Sequence, residues 1–225
     1  MQNTPDPGEI LLLNKPLGWS SFQALKKLKY LKKAKKAGHA GTLDPLATGL
    51  LIVCTEKSTK KITGIQDLNK VYTGTIRLGG ATASGDLESD VSETKPFEHV
   101  NLDLVNETIP KFMGEIEQVP PSFSAIKVNG KRAYELARKG QDVKMKSRVV
   151  TIYDFKITAL NLPDLDFEVK CSKGTYIRTL AMDFAKELGT LGHLTKLCRT
   201  AIGDYKIQDA KSIDEWAQFL EENKG

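Results

Sequence analysis

Apolar residues recur along this chain at two spacings, every second residue and every third or fourth, and the two divide it into strands and helices. Glu9 to Leu13 reads as a short buried strand. Ser20 or Ser21 can cap a helix running to about Lys36, with Phe22, Leu25, Leu28 and Leu31 on one face. Leu50 to Thr55 is a continuous apolar strand, and Val71 to Leu78 alternates. Leu165 to Cys171 sets Leu165, Phe167, Val169 and Cys171 against Asp166, Glu168 and Lys170. Val149 to Ala159 places Val149, Tyr153, Phe155, Ile157 and Ala159 on one face. Leu102 to Met113 has helical spacing, but Pro110 lacks a backbone donor, so that helix kinks or ends early. Residues 177–188 form a helix stopped by Gly189. Ser212-x-x-Glu215 is a capping box that opens a last amphipathic helix with Ile213, Trp216, Ala217 and Leu220. Half-polar strands mixed with helices predict an α/β fold of the α+β type, a mixed, mostly antiparallel central sheet flanked by helices.

One loop breaks this periodicity. Gly38-His39-Ala40-Gly41-Thr42-Leu43-Asp44-Pro45-Leu46-Ala47-Thr48-Gly49 places a single carboxylate among three glycines, a proline and a histidine. The glycines allow sharp turns or close approach, and Pro45 fixes the backbone just after the acid. Such a loop is either a structural turn in which Asp44 caps a backbone N–H, or a rigid mount for a nucleophilic carboxylate.

Composition narrows the choices. At 225 residues the chain suits one large domain or two small ones. No apolar run approaches the roughly 18 residues that span a bilayer, and Met1 to Glu9 is unlike a secretion signal, so a cytoplasmic protein without membrane contact is expected. Cys54, Cys171 and Cys198 are widely spaced and form no metal-ligand pattern with His39, His99 or His193; three reduced thiols, mostly buried in strands, are expected and no metal. The net charge of +5 is uneven: residues 209–225 carry five acids against Lys211 and Lys224, a net of −3, which leaves +8 on the rest. Lys26, Lys27, Lys29, Lys32, Lys33, Lys35 and Lys36 follow one another with no acid between them. They form a solvated helix face or a surface for RNA phosphates. Val119 to Arg148 is a second basic stretch, punctuated by Gly130 and Gly140.

The Asp44 loop resembles the active-site motif of the TruB family of RNA pseudouridine synthases. Three further blocks agree, in the family's order along the chain. They are Asn14-Lys15-Pro16-x-Gly18-x-Ser20-Ser21, the run from Phe112 through Gln118-x-Pro120-Pro121 to Gly130-x-Arg132-Ala133-Tyr134, and Cys171-Ser172-Lys173-Gly174-Thr175-Tyr176-Ile177-Arg178. The resemblance runs from about Leu11 to Tyr205. It implies a pseudouridine synthase fold over residues 1–208, with 119–148 as an inserted thumb-like segment and 209–225 as a short C-terminal helix in place of a separate RNA-binding PUA domain. It makes Asp44 the nucleophile, Arg178 its guanidinium partner and Tyr72 a ring that stacks on the target uracil; by itself, a tyrosine within a strand is more often core. Tyr176 would line the pocket, the Leu197 backbone would read the uracil edge, and His39 would contact splayed loop nucleotides. Lys15 and Asp86 would support the site. The implied reaction isomerises a uridine in the T-loop of tRNA and needs no cofactor; the implied partner is the tRNA T-arm, without guide RNA, bound by a monomer. One block departs from the pattern, since Ser89 stands where the family shows glycine, which questions the local loop. Two rivals share some of these features. An RNA-binding module has no need of Asp44, and a glycosidase needs a carboxylate pair, for which only Asp86 offers itself.

Overall fold

The computed structural model describes residues 7–121, 123–124, 127–128, 130–133, 136, 141 and 145–223. In chain order the elements are β1 (Ile10–Lys15), α1 (Ser21–Leu31), β2 (Ala37–His39), β3 (Thr48–Thr55), α2 (Ile62–Asp67), β4 (Lys70–Leu78), β5 (Gly80–Thr82), β6 (Val91–Thr94) and α3 (Leu102–Thr108). There follow β7 (Gly114–Gln118), β8 (Lys127–Val128), β9 (Lys131–Arg132), β10 (Arg148–Asn161), β11 (Asp164–Cys171), α4 (Ile177–Glu187), β12 (Gly192–Ile202), β13 (Tyr205–Lys206) and α5 (Ile213–Glu222). The sheet is mixed and mostly antiparallel, as the alternation predicts: β1 and β2 on β3, β13 on β12, and β7 and β11 on β10 are antiparallel, while β12 runs parallel to β3.

The chain forms two compact units. The first comprises residues 1–72 and 197–225, the second residues 73–196. In the first, β3 is the middle strand. Leu51 and Val53 join Leu11, Leu13, Leu25, Leu28 and Ile213 in a core on one face, covered by α1 and α5. Leu50, Ile52 and Cys54 join Ala40, Ile65 and Ile202 on the other. Burial on both faces explains why β3 is apolar without alternation. The last helix belongs to this core, with the Trp216 indole N–H donating to the Leu12 carbonyl at 3.0 Å. In the second unit, β11 buries Leu165, Phe167, Val169 and Cys171 as its pattern predicts. Phe184 of α4 stands edge-on to Phe112 and Phe155, and Phe155 to Phe167, which packs α3's end, α4 and the sheet together.

Three local expectations need correction. The first helix ends at Leu31, five residues before Lys36, because Lys33 enters the left-handed region at φ 51° and turns the chain toward β2. Its buried face is Ser21, Ala24, Leu25 and Leu28, while Phe22 is 68% exposed. On β10 the inward residues are Val150, Ile152 and Phe155, and both Val149 and Tyr153 are exposed. A register shift between Ile152 and Asp154 inserts one residue and reverses the phase of the strand. Pro110 acts as expected: α3 stops at Thr108 and tightens into a 3₁₀ turn, Ile109–Phe112. The capping boxes are Ser20–Gln23 on α1 and Ser212–Glu215 on α5. Most of the basic stretch 119–148 lies outside the described residues. Within it, β8 and β9 pair Lys127 with Arg132 and Val128 with Lys131.

Candidate active site

Asp44 stands on the first unit, in the loop between β2 and β3. Within the loop the Ala47 N–H donates to the Asp44 carbonyl at 3.1 Å. Further fixation comes from outside. The Gly18 N–H donates to the Pro45 carbonyl at 2.9 Å. The Ser21 hydroxyl accepts from the Leu43 N–H at 2.8 Å and donates to the Leu43 carbonyl at 2.9 Å. The fully buried Lys15 ammonium donates to the carbonyls of Trp19 (2.6 Å), Pro16 (3.0 Å) and Pro45 (3.4 Å).

Arg199 of β12 completes the mount. It is 1% exposed, and its guanidinium donates to the carbonyls of Leu50 (2.8 Å), Gly41 (3.0 Å) and Thr42 (3.5 Å). Sequence reading missed this residue. Its partners are backbone carbonyls about 150 positions away, which leave no trace in local pattern. The pairing that brings it there puts Arg199 opposite Gly49. Gly49 has φ 100°, and a Cβ on it would lie 2.4 Å from the Arg199 carbonyl oxygen, so only glycine fits.

These groups form a charged cluster. Burial pulls the Lys15 ammonium down to about 8, against the pull of the Asp44 charge, while Arg199 adds repulsion. Burial, then the charge of Arg199, hold the His39 imidazole below its ordinary value, so the ring is uncharged at neutral pH. Lys15, His39, Asp44 and Arg199 are thus one electrostatic group. Tyr72, in β4, is 9% exposed, and the Leu197 carbonyl accepts from the Thr48 hydroxyl at 3.4 Å.

The second unit carries Arg178, Tyr176 and Asp86. Arg178, in the first turn of α4, is 3% exposed and donates to the carbonyls of Ser84 (2.8 Å) and Phe123 (2.7 Å). Its Nε lies 3.8 Å from the Asp86 carboxylate. The other Asp86 oxygen accepts from the Ser84 hydroxyl at 2.6 Å and the Glu88 N–H at 3.0 Å. Ser89, the departure from the family pattern, strengthens this loop. Its hydroxyl accepts from the Ser84 N–H at 2.9 Å and meets the Ser84 hydroxyl at 2.8 Å. Gln118 fixes the start of α4 by a two-way bond, accepting from the Tyr176 N–H at 2.7 Å and donating to its carbonyl at 3.0 Å. The Arg148 guanidinium lies over the Tyr176 ring, 4.5 Å from its centre. Among the described residues no cluster of His, Cys, Asp and Glu could hold a metal, and no helix is long and apolar enough to cross a membrane. None of the three cysteines forms a disulfide; Cys54 and Cys171 are buried and Cys198 is half-buried.

A single carboxylate on a loop braced by buried cations, carried by this mixed sheet, fits the pseudouridylate synthase class of enzymes. Residues 29–177 match the profile of the TruB family pseudouridylate synthase N-terminal domain. The tRNA pseudouridine synthase B of Flavobacterium johnsoniae is 53% identical over 221 residues, covering 95% of this chain and 96% of that protein. That of Phocaeicola vulgatus is 46% identical over 223 residues, covering 96% and 95%. Among solved structures, a chain of a Cbf5–Nop10–Gar1 complex superposes with a TM-score of 0.73 at 26% identity over 96% of this chain. The present chain spans only 56% of that one's length. The chain belongs to the TruB family, and its activity class is that of the family, isomerisation by a pseudouridine synthase.

Proposed function

We propose that this protein converts a uridine in the T-loop of tRNA to pseudouridine, with Asp44 as the nucleophile. The observation that carries the reading is the Asp44 loop itself, braced through the carbonyls of Pro45 and Gly41 by two buried cations, Lys15 and Arg199, of which Lys15 feels the charge of the acid. The names of the bacterial relatives, similar over nearly the whole chain, supply the substrate class.

The reaction breaks the bond from N1 to C1′, turns the uracil, and joins C1′ to C5; the C5 proton leaves and N1 takes up a proton. Reactant and product have the same atoms, so no redox partner or co-substrate enters the balance. Asp44 attacks the nucleotide once it has been turned out of the loop, since a stacked base does not expose its reacting atoms. Tyr72 supplies a ring to stack on the uracil and a hydroxyl to relay the C5 proton. His39, uncharged, contacts loop nucleotides by hydrogen bonding, and the Leu197 backbone reads the uracil edge. Arg178, Tyr176 and Asp86, on the other unit, are assigned to the same reaction by their match to the family motif. Lys15 supports the loop. The same reading makes the enzyme a cytoplasmic monomer that binds the T-arm without guide RNA, residues 1–208 being the catalytic domain with 119–148 as its thumb.

Release of tritium from unmodified tRNA labelled at uracil C5, with the modified position mapped, tests this directly. The wild type should release one tritium per tRNA, from the T-loop. Release from another loop, or none, contradicts the proposal. Tyr72→Phe should bind tRNA as the wild type does and slow the single-turnover step at least tenfold. An unchanged rate would leave Tyr72 with stacking alone.

A further inference from the structure

A second, unassigned feature of the first unit lies at the opposite end of β3 from the Asp44 loop. β3 runs from Thr48, beside that loop, to Thr55, and eight extended residues place its ends roughly 23 Å apart. At the Thr55 end lies a concavity of about 730 Å³. Six lysines line it. Lys32, Lys33, Lys35 and Lys36 come from the end of α1 and the segment after it, and Lys57 and Lys60 from the 3₁₀ turn Glu56–Lys61.

Three observations separate this basin from an ordinary solvated lysine face. The lysines converge from two stretches of chain onto one hollow, where like charges repel unless a counter-charge is bound. The two acids at its rim are already engaged: the Glu9 carboxylate pairs with Lys32, and one Glu56 oxygen accepts from the Lys35 N–H (2.7 Å) and the Lys36 N–H (3.2 Å). Among the described residues no carboxylate forms a salt bridge with Lys33, Lys35, Lys36, Lys57 or Lys60. Finally, the hollow is shaped by strain. Lys33 (φ 51°) and Glu56 (φ 44°) are the only described residues other than glycine in the left-handed region, and both line it. Backbone strain of this kind persists where the surroundings fix it, often at binding sites.

Among the described residues no aromatic side chain lines the hollow, and its cations are lysines, point charges that suit phosphate without reading a base. We propose that this basin binds the phosphate backbone of the RNA substrate, several nucleotides away from the reacting uridine, and so provides a sequence-independent second hold on it. Glu56 is a positioning residue, keeping the Lys35–Lys36 backbone folded over the hollow.

The inference rests on the tRNA-modifying reading, and its test keeps the two apart. Lys57 and Lys60 lie outside the Asp44 loop, so Lys57→Gln/Lys60→Gln leaves that loop intact. Binding of unmodified tRNA is followed between roughly 50 and 300 mM KCl, beside the single-turnover rate at saturating RNA. The slope of log Kd against log salt should fall by about 1 to 2, with weaker binding at low salt and an unchanged saturating rate. An unchanged slope overturns the basin while leaving the enzymatic reading in place. A fall in the saturating rate with no change in slope also overturns it, because the lysines would then act on chemistry and not on backbone binding. A wild type that neither binds nor modifies tRNA removes the basis of both.

Discussion

Lys15 occupies an environment unlike that of an ordinary lysine. A lysine is ordinarily exposed, yet this one is fully buried and donates to three carbonyls, one of them in the Asp44 loop. Its pKa is lowered from 10.5 to about 8, first by burial. Between these values the unfolded chain binds more protons at Lys15 than the folded one, so its contribution to stability rises with pH across that window. The charged form is tolerated in the fold below about 8, at a cost of up to roughly 3 kcal/mol that is relieved as the proton leaves. Lys15→Met removes the titration. Urea unfolding of both proteins at a series of pH values should show the wild type gaining on the variant from about pH 8 upward. Parallel stability curves would contradict this. At this scale the sequence marked the Asp44 loop and, through the family resemblance, named Lys15 as a support, but gave no sign of Arg199. Glycines and Pro45 mark the loop locally, whereas the burial of Lys15 and the carbonyl partners of Arg199 arise only when distant strands pair.

At the level of elements, the strands that alternate or run apolar were legible because burial on one or two faces dictates their composition. What escaped was phase and length. The shift on β10 reverses which residues face inward, and the lysine run conceals the end of α1 because lysine suits a helix and its exposed exit equally well. The parallel pairing of β3 with β12 is the element contact on which the Asp44 loop most depends, since it delivers Arg199 to Gly41 and Leu50. Gly49→Ala should disturb it twice over, by requiring φ 100° of an L side chain and by driving a methyl group into the Arg199 carbonyl. A loss of roughly 3 kcal/mol or more is expected in chemical unfolding, together with lower activity in whatever protein remains folded. A loss below about 1 kcal/mol would mean that the β3–β12 junction yields easily and that Arg199 does not depend on it.

For the whole molecule, the family could be read from four motifs in order, because each binds its neighbours through side chains that the chemistry constrains. The division into two units could not. The chain passes between them at Tyr72–Thr73 and Lys196–Leu197, within β4 and β12, where no linker composition marks a boundary. The assigned residues divide accordingly, Lys15, His39, Asp44, Tyr72 and Leu197 on one unit and Asp86, Tyr176 and Arg178 on the other. The central claim concerns one atom group among them, the Asp44 carboxylate. Asn fills nearly the same space but carries no charge and cannot attack as an anion. Single-turnover tritium release from C5-labelled tRNA by Asp44→Asn, beside a direct measurement of its tRNA affinity, is therefore the decisive comparison. Affinity close to that of the wild type with release at background would agree with Asp44 as the nucleophile; turnover within about tenfold of the wild type, a barrier change of only some 1.4 kcal/mol, would contradict it.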